Sequence, residues 1–287
     1  MSRIAYVNGQ YRPHAEAAVH IEDRGYQFAD GVYEVIAVKG GQFVDEIGHL
    51  DRLDRSLREL EIAQPMLRRP LQLVMREVIR RNGIKDGIIY MQVTRGVARR
   101  DHPFPKGVVP SLVMTAKRTK PIPAATLANG IAVITIPDQR WTRCDIKSIS
   151  LLPNVLGKQA ARQAGAYEAW MVDSAGAVTE GTSTNAWIVT NDNQLITRSV
   201  SHAILNGITR LAILKIAAAA GVTMVERPFT VAEAKAAREA FITSTTTFVL
   251  PVVTIDGQTV GTGKPGDLAM SLRRAYETAA AGGGILA

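Results

Sequence analysis

One lysine in this 287-residue chain has neighbours that could make its amine reactive. Lys147 lies in the segment Cys144–Leu152, where the apolar residues around it predict that the amine lies near or inside a core. A desolvated lysine is a competent nucleophile toward an aldehyde and can move a proton afterwards. The same pattern also suits a lysine whose stem packs on apolar residues while its amine extends to solvent. A chemical role therefore requires partners elsewhere in the chain.

A carboxylate with small neighbours is the first candidate partner. Glu180 lies in the polar segment Thr179–Asn185, which precedes the apolar strand predicted over Ala186–Val189. Small residues let a flat ligand approach closely, and a single carboxylate there could keep a pyridine nitrogen protonated. A polar segment of this kind is also typical of a simple turn.

Two further segments could bind a phosphate group. Asn206-Gly207 breaks the chain just before an apolar-periodic helix, which would present free backbone amides and the positive end of a helix dipole. The run Thr243–Thr247 follows a predicted strand and could add hydroxyl donors. An ordinary helix start and plain β-structure are the alternative interpretations.

Two other motifs are rejected. Gly261–Gly266 has the spacing G-x-G-x-x-G, but only 287 − 266 = 21 residues follow it, too few for a dinucleotide-binding unit. Pro265 also stands where a Walker A loop needs a hydroxyl. The histidines show neither helical i, i+4 pairing nor cysteine partners, so no metal site is predicted.

Composition and charge narrow the class of protein. Hydrophobic residues make up 46% and charged residues 21%, as in globular proteins. The formal charge of +8 suits small anionic ligands, and the basic pairs lack the aromatic residues that would indicate nucleic acid. The single cysteine, Cys144, cannot form an internal disulfide, and no apolar stretch has the length of a signal peptide or membrane span. We therefore expect a cytoplasmic protein that binds neither nucleic acid nor membrane.

The elements that must position these groups suggest two domains. Residues 1–118 alternate predicted hairpin strands with two amphipathic helices, which indicates an α+β domain. Pro121 and Pro123 predict a connector over residues 119–126. Residues 127–287 combine many strands with intervening helices, which predicts a larger α/β or barrel-like domain.

Several ordered segments together resemble the fold-type IV pyridoxal-phosphate enzymes, which form the branched-chain aminotransferase-like class IV family. The similarity runs from about residue 4 to about residue 275, and within the family the chain resembles the D-amino-acid (D-alanine) aminotransferases. It implies a two-domain α+β / α/β fold, pyridoxal 5'-phosphate as the cofactor, and residues 127–287 as the domain that binds the cofactor. The segments that carry it are Glu22–Val35, Cys144–Leu152, Thr179–Asn185, Asn206–Arg210 and Thr243–Thr247.

The resemblance also implies roles for individual residues. Lys147 would hold the cofactor as a Schiff base and move a proton between the substrate α-carbon and the cofactor, while Glu180 would pair with the pyridine nitrogen. Leu205 would pack against the cofactor ring. The groups implied to bind the cofactor phosphate are Arg52, otherwise interpreted as a solvated helix arginine, the amides of Ile208 and Thr209, and the Thr245 hydroxyl.

The substrate carboxylate is assigned by the same resemblance. Val93–Pro105 is similar to the D-specific branch, in which an Arg-x-His pair and a tyrosine bind the carboxylate, and a guanidinium fork suits that task. The corresponding residues are Arg100, His102 and Tyr33, with Thr246 also assigned to the substrate site. In relatives this loop reaches the neighbouring subunit's site, which implies a homodimer.

The expected activity is ping-pong transamination of D-amino acids of the D-alanine type, with 2-oxoglutarate or pyruvate as the acceptor. A fold does not decide a substrate, so an (R)-amine or L-branched-chain aminotransferase and an aminodeoxychorismate lyase are alternatives. A basic nucleic-acid-binding protein is the alternative from another class. Trp187 and Phe248 depart from the residues expected in D-alanine aminotransferases and could reshape the pocket for the substrate side chain. The positive charge of Arg99 could favour dicarboxylates such as D-glutamate or 2-oxoglutarate.

Overall fold

The computed structural model describes residues 3–286, which fold into two compact units. The first comprises residues 3–120, 146–150 and 281–286, and the second comprises residues 121–145 and 151–280. The chain passes between units at Lys120 and Pro121, inside the predicted connector 119–126, whose last residues begin the helix Ala124–Asn129 instead. The sequence did not predict that residues 146–150, which include Lys147, belong to the first unit. The predicted limits at residues 1 and 287 lie outside the described residues.

The first unit contains a six-stranded antiparallel sheet in the order β2-β1-β6-β5-β3-β4. Helices α2 and α3 pack on it because leucines recur at steps of three and four, which places Leu50, Leu53 and Leu57 on one buried face. The helices are α1 (Arg24–Phe28), α2 (Glu46–Glu59) and α3 (Arg68–Arg81), with a 3-10 turn at His14–Glu16. The strands are β1 (Ile4–Val7), β2 (Gln10–Pro13), β3 (Gly31–Lys39), β4 (Gln42–Phe43), β5 (Gly87–Thr94) and β6 (Ser111–Arg118).

The second unit contains a nine-stranded mixed sheet in the order β12-β11-β10-β13-β14-β7-β8-β9, with β15 paired to β14. Its fully buried strands are mostly apolar because side chains on both faces are covered. The helices are α4 (Ala124–Asn129), α5 (Leu152–Gln163), α6 (Ile208–Ala219), α7 (Val231–Ala236) and α8 (Asp267–Ala281). The strands are β7 (Ile131–Pro137), β8 (Glu168–Val172), β9 (Val178–Gly181), β10 (Asn185–Val189), β11 (Leu195–Thr197), β12 (Met224–Glu226), β13 (Glu239–Ser244), β14 (Phe248–Ile255) and β15 (Gln258–Thr259).

The predicted fold class is confirmed: a smaller α+β unit with an antiparallel sheet and a larger α/β unit whose sheet curls as a half-barrel. The interpretation of Thr179–Asn185 as a turn is only partly right. Glu180 lies inside β9, and the turn is confined to the residues between β9 and β10, where Gly181 N donates to Thr184 O at 2.7 Å. Among residues 3–286, every helix is too short or too polar to cross a membrane.

Candidate active site

Lys147 is attached to β3 through its own backbone. Tyr33 N donates to Lys147 O at 3.0 Å, and Ile149 N donates to Gly31 O at 3.1 Å, so the segment lies along the start of the strand. Gly31 is required there because a Cβ would come within 2.7 Å of Val93 O. The Lys147 Nζ atom lies 4.0 Å from the centre of the Tyr33 ring. The fold therefore brings together two of the residues predicted to act on the substrate.

Arg52, predicted to bind the cofactor phosphate, is oriented by a buried carboxylate. Its Nε donates to Glu34 Oε1 at 2.8 Å and its Nη2 donates to Glu34 Oε2 at 2.9 Å, while His49 Nδ1 lies 2.7 Å from Glu34 Oε2. One turn further along α2, Ser56 Oγ accepts from Lys147 N at 3.3 Å. One face of α2 therefore carries Arg52 and also contacts the segment that contains Lys147. Sequence reasoning missed Glu34 and His49, although Glu34 directly follows Tyr33 in the family-like segment.

Charges within this buried group follow from its contacts. Burial alone would raise the pKa of Glu34, but the charge and hydrogen bonds of Arg52 outweigh burial and lower that pKa to about 2. Burial lowers the pKa of His49, against the opposing effect of Glu34. An ionised carboxylate can only accept, so the neutral His49 ring carries its hydrogen on Nδ1. Glu34 and Arg52 therefore form an ion pair, and the neutral His49 ring donates a hydrogen bond to the Glu34 carboxylate.

Arg100 and His102 lie on an exposed loop of the first unit, here called the Arg100 loop (residues 98–105). Both side chains approach the ring of Phe28: the Arg100 Cζ atom lies 5.0 Å from its centre, and the His102 ring centre lies 5.4 Å away. Within residues 3–286 neither side chain forms a hydrogen bond with Tyr33. The structure therefore brings the predicted Arg-x-His pair together at the Phe28 ring.

In the second unit, Glu180 lies in a network of hydrogen-bond donors. Arg140 Nη1 donates to its Oε1, Asn185 Nδ2 donates to its Oε2 at 3.0 Å, and Leu205 N lies 3.2 Å from both oxygens. Asn185 Nδ2 also donates to Leu205 O at 2.9 Å. The structure therefore joins Glu180 and Leu205, two residues that the sequence assigned separately to the cofactor ring.

Arg140 is a functional candidate that sequence reasoning missed. It is buried, and its Nη2 donates to Asp138 Oδ2 at 2.7 Å and to Thr179 Oγ1 at 3.2 Å. Burial alone would lower the pKa of Arg140, but Asp138 and Glu180 raise it; burial alone would raise the pKa of Asp138, but Arg140 lowers it. Each group thus keeps its charge. No local pattern in the sequence distinguishes this arginine from a surface one.

The start of α6 presents groups that fit a phosphate. The Thr209 hydroxyl is buried and has no hydrogen-bond partner among residues 3–286, and the first amides of a helix have no intrahelical acceptor. Gly207 precedes them, and a Cβ there would come within 2.0 Å of Asn185 Oδ1. A buried hydroxyl without a partner beside free amides suits an anion. Thr245 and Thr246 lie in the turn between β13 and β14, partly buried and exposed respectively.

Comparison with known proteins places the chain in a family. Residues 31–255 match the model described as amino-transferase class IV. The chain belongs to the class IV aminotransferase family. It is 43% identical over 272 residues to a D-alanine aminotransferase of Bacillus licheniformis, covering 94% of each chain. It is 40% identical to one of Staphylococcus haemolyticus, covering 94% of this chain and 95% of the relative.

Solved structures agree with this membership. A branched-chain amino acid aminotransferase solved with pyridoxamine 5'-phosphate superposes with a TM-score of 0.90 at 25% identity, covering 99% of this chain and 95% of that one. The Escherichia coli branched-chain amino acid aminotransferase gives a TM-score of 0.89 at 23% identity, covering 99% and 96%, which supports the fold alone. The protein is a fold-type IV, pyridoxal-phosphate-dependent aminotransferase, as predicted.

Two departures from the family pattern have structural explanations in this aminotransferase. Trp187 is fully buried, stacks on Phe241 with ring centres 5.5 Å apart, and donates from Nε1 to Thr243 Oγ1 at 2.9 Å. Phe248 packs edge-on against Tyr276 at 4.9 Å. Both therefore belong to the packed interior of the second unit, and their predicted influence on the substrate pocket stays a prediction.

Proposed function

We propose that this aminotransferase transfers the amino group of D-amino acids, of the D-alanine type, to a 2-oxo acid such as 2-oxoglutarate or pyruvate. The observation that carries the proposal is the position of Tyr33, whose ring lies 4.0 Å from the Lys147 amine. The Arg100-x-His102 pair supports it, because these are the residues expected to recognise the carboxylate in D-specific relatives. The relatives named D-alanine aminotransferase span nearly the whole chain and support the same conclusion.

Lys147 performs the proton transfer in this proposal. Pyridoxal phosphate, when bound, supplies an electron sink that stabilises negative charge at the substrate α-carbon. The Lys147 Nζ atom would hold the cofactor covalently, and its amine would carry the substrate α-proton. The nearby Tyr33 ring restricts where that amine can move.

Side chains and backbone amides would hold the cofactor's two polar ends. Glu180 would pair with the pyridine nitrogen, and Arg140, whose Nη1 donates to Glu180 Oε1, would keep that carboxylate in position. Leu205 would pack on the ring. The phosphate would be bound by the α6 amides and by side chains, namely Ile208 N, Thr209 N, Thr245 Oγ1 and Arg52.

The substrate carboxylate is bound by Arg100, His102 and the Tyr33 hydroxyl. A guanidinium fork with two further donors matches a carboxylate in charge and geometry. Thr246 contributes to the same site from the β13–β14 turn. Arg99 adds positive charge nearby, which favours substrates with a second carboxylate, such as D-glutamate or 2-oxoglutarate.

A homodimer is part of the proposal, with the Arg100 loop of one subunit completing the partner's site. Large apolar side chains exposed near this loop support it, among them Tyr26 at 77%, Phe104 at 55% and Val109 at 79% exposure. Mixing inactive Lys147→Ala protein with Arg100→Ala protein should restore activity, because a hybrid dimer then contains one intact site. Absence of any recovery, with a dimer present by light scattering, contradicts a loop that acts in the partner.

A cytoplasmic location is proposed on the basis of Cys144, a buried free thiol whose pKa burial raises to about 11. Such a thiol needs no oxidising compartment. Fractionation of cells that express the chain with a C-terminal epitope tests this, and recovery from an exported fraction would contradict it.

The donor profile of the cofactor-loaded protein tests the activity. D-Alanine should be the best donor with 2-oxoglutarate, ahead of L-leucine and (R)-1-phenylethylamine. A preference for L-leucine or for the amine would instead indicate the corresponding branch of the family. Pyruvate release from aminodeoxychorismate without an amino acceptor would indicate a lyase.

A further inference from the structure

The main chain of the Arg100 loop is held by a buried arginine that the sequence did not single out. Arg24 Nη1 donates to Asp101 O at 2.5 Å, and Arg24 Nη2 donates to His102 O at 3.2 Å. Arg24 is only 3% exposed, whereas the loop residues it contacts are exposed. One guanidinium therefore attaches two consecutive carbonyls of a loop whose residues are mostly exposed.

The side chains of the loop rest on a residue of the same short helix. Arg24 and Phe28 are the first and last residues of α1. The Phe28 ring lies 4.8 Å from Arg24 Cζ, 5.0 Å from Arg100 Cζ and 5.4 Å from the centre of the His102 ring. Guanidinium groups are attracted to aromatic faces at such distances. Phe28 thus orders the side chains of Arg100 and His102, while Arg24 orders the backbone beside them.

The helix α1 is itself anchored to β5. Asp23, its N-cap, accepts from Gly25 N at 2.8 Å and from Thr94 Oγ1 at 3.0 Å. The Gly25 position is tight, since a Cβ would come within 2.2 Å of the Thr94 methyl carbon. Because β5 belongs to the sheet of the first unit, α1 holds the Arg100 loop in a fixed position relative to that sheet.

We propose that Arg24 and Phe28 are positioning residues that set the affinity of the enzyme for the substrate carboxylate. They act by holding Arg100 and His102 in the orientation that binds it, and they do not touch the reacting atoms. The inference rests on the proposed function of Arg100 and His102.

The charges around Arg24 make this testable without loss of the fold. Arg24 Nε pairs with Asp30 at 2.8 Å, but Asp30 is also held by Arg95 through Nε at 2.7 Å and Nη2 at 3.0 Å. Removing Arg24 therefore leaves Asp30 paired. The side-chain hydrogen bonds that only Arg24 supplies are those to the loop carbonyls.

Arg24→Met should raise the KM for D-alanine roughly tenfold while kcat changes less than about threefold, because a loosened Arg100 loop weakens binding of the substrate carboxylate and leaves the Lys147 amine unchanged. Arg24→Lys should recover part of the affinity, and Phe28→Leu should show a smaller rise of the same kind. Arg227→Met is the matched control, because Arg227 likewise contacts one carboxylate, Glu233, and one carbonyl, Pro228 O. Its KM should stay at the wild-type value.

A double-mutant cycle separates positioning from general destabilisation. If Arg24 acts through Arg100, Arg24→Met in an Arg100→Ala background should raise KM by less than about twofold. An additive tenfold effect, or an equal fall in kcat, overturns the inference. Should Arg100→Ala alone leave the KM for D-alanine unchanged, the proposed carboxylate site fails instead.

A readout independent of activity is tryptic cleavage within the loop. Arg24→Met should increase the cleavage rate after Arg99 and Arg100 several-fold in the cofactor-free protein, by releasing the two carbonyls. Arg227→Met should not change it. Equal cleavage of wild type and Arg24→Met, with an unaltered KM, would show that Arg24 does not position the loop.

Discussion

Glu34 and Arg52 form a two-point ion pair inside the first unit, with Nε to Oε1 at 2.8 Å and Nη2 to Oε2 at 2.9 Å. Glu34 is fully buried, and Arg52 is 9% exposed. The pair fixes the guanidinium in one orientation on α2, the helix that also contacts the Lys147 segment through Ser56. Arg52, which the sequence predicted only as a phosphate ligand, thus has its orientation fixed by the ion pair with Glu34.

The first prediction concerns the pH dependence of stability. The folded-state pKa of Glu34 is about 2, below its ordinary 4.5, so its contribution is complete above about pH 4.5 and disappears as the pH falls toward 2. That contribution is about 3 kcal/mol. We expect Glu34→Gln to lower the free energy of unfolding of the cofactor-free protein, as measured with urea. This loss of stability relative to wild type should shrink by about 3 kcal/mol as the pH falls from about 4.5 toward 2. Glu77→Gln, at a partly exposed ion pair with Arg80, should change the free energy of unfolding far less. Parallel curves of unfolding free energy against pH for wild type and Glu34→Gln would contradict this prediction.

The second prediction concerns the covalent link to the cofactor. Lys147→Ala should lose transamination by roughly 10²–10⁴-fold or more, because the proton-transfer group is absent. After borohydride treatment, mass spectrometry of Lys147→Ala should find no covalently attached cofactor. Lys85→Ala, at an exposed lysine, should behave as wild type in both assays. Attachment of the cofactor to Lys147→Ala would refute the central assignment.

The third prediction uses the Thr209 hydroxyl, which is buried and has no partner among the described residues. Thr209→Val should weaken cofactor binding about tenfold, because a hydrogen bond to a charged group contributes about 1.5–3 kcal/mol. Without cofactor, Thr209→Val should unfold at the same or a higher urea concentration than wild type, because the Thr209 hydroxyl of the wild type forms no hydrogen bond with the described residues. Fluorescence titration with cofactor and urea unfolding measure the two effects. Thr278→Val, on α8, is the control, and equal cofactor affinity for Thr209→Val would exclude a phosphate contact.

The fourth prediction concerns Arg140, which compensates the partly buried carboxylate of Asp138 and the buried carboxylate of Glu180. Arg140→Met should destabilise the cofactor-free protein by about 3–5 kcal/mol at neutral pH, because it leaves buried charge unpaired. The deficit should shrink as the pH falls, since protonation of the carboxylates relieves it. Arg143→Met removes the partner of Asp145 at a more exposed site and should cost much less. Thermal unfolding at several pH values measures this, and equal losses for both variants would contradict it.

Local patterns in the sequence were sufficient to predict most of the helices and strands. The periodicity of leucine and valine predicted α2 and α3, and β-branched runs predicted strands such as β3 and β5 close to their observed bounds, because helical and strand periods are local properties. The short helix α1 was missed because five residues are too few to show a period.

By itself the sequence determined the class of enzyme, since the segments around Lys147, Glu180 and Asn206-Gly207 occur together and in order. Tertiary structure alone decided which residues support them. The pairs Glu34 with Arg52, Arg140 with Glu180, and Arg24 with Asp101 join residues 18, 40 and 77 positions apart. Such contacts depend on strand order and on which helix faces a given strand, and no periodicity within either segment encodes them.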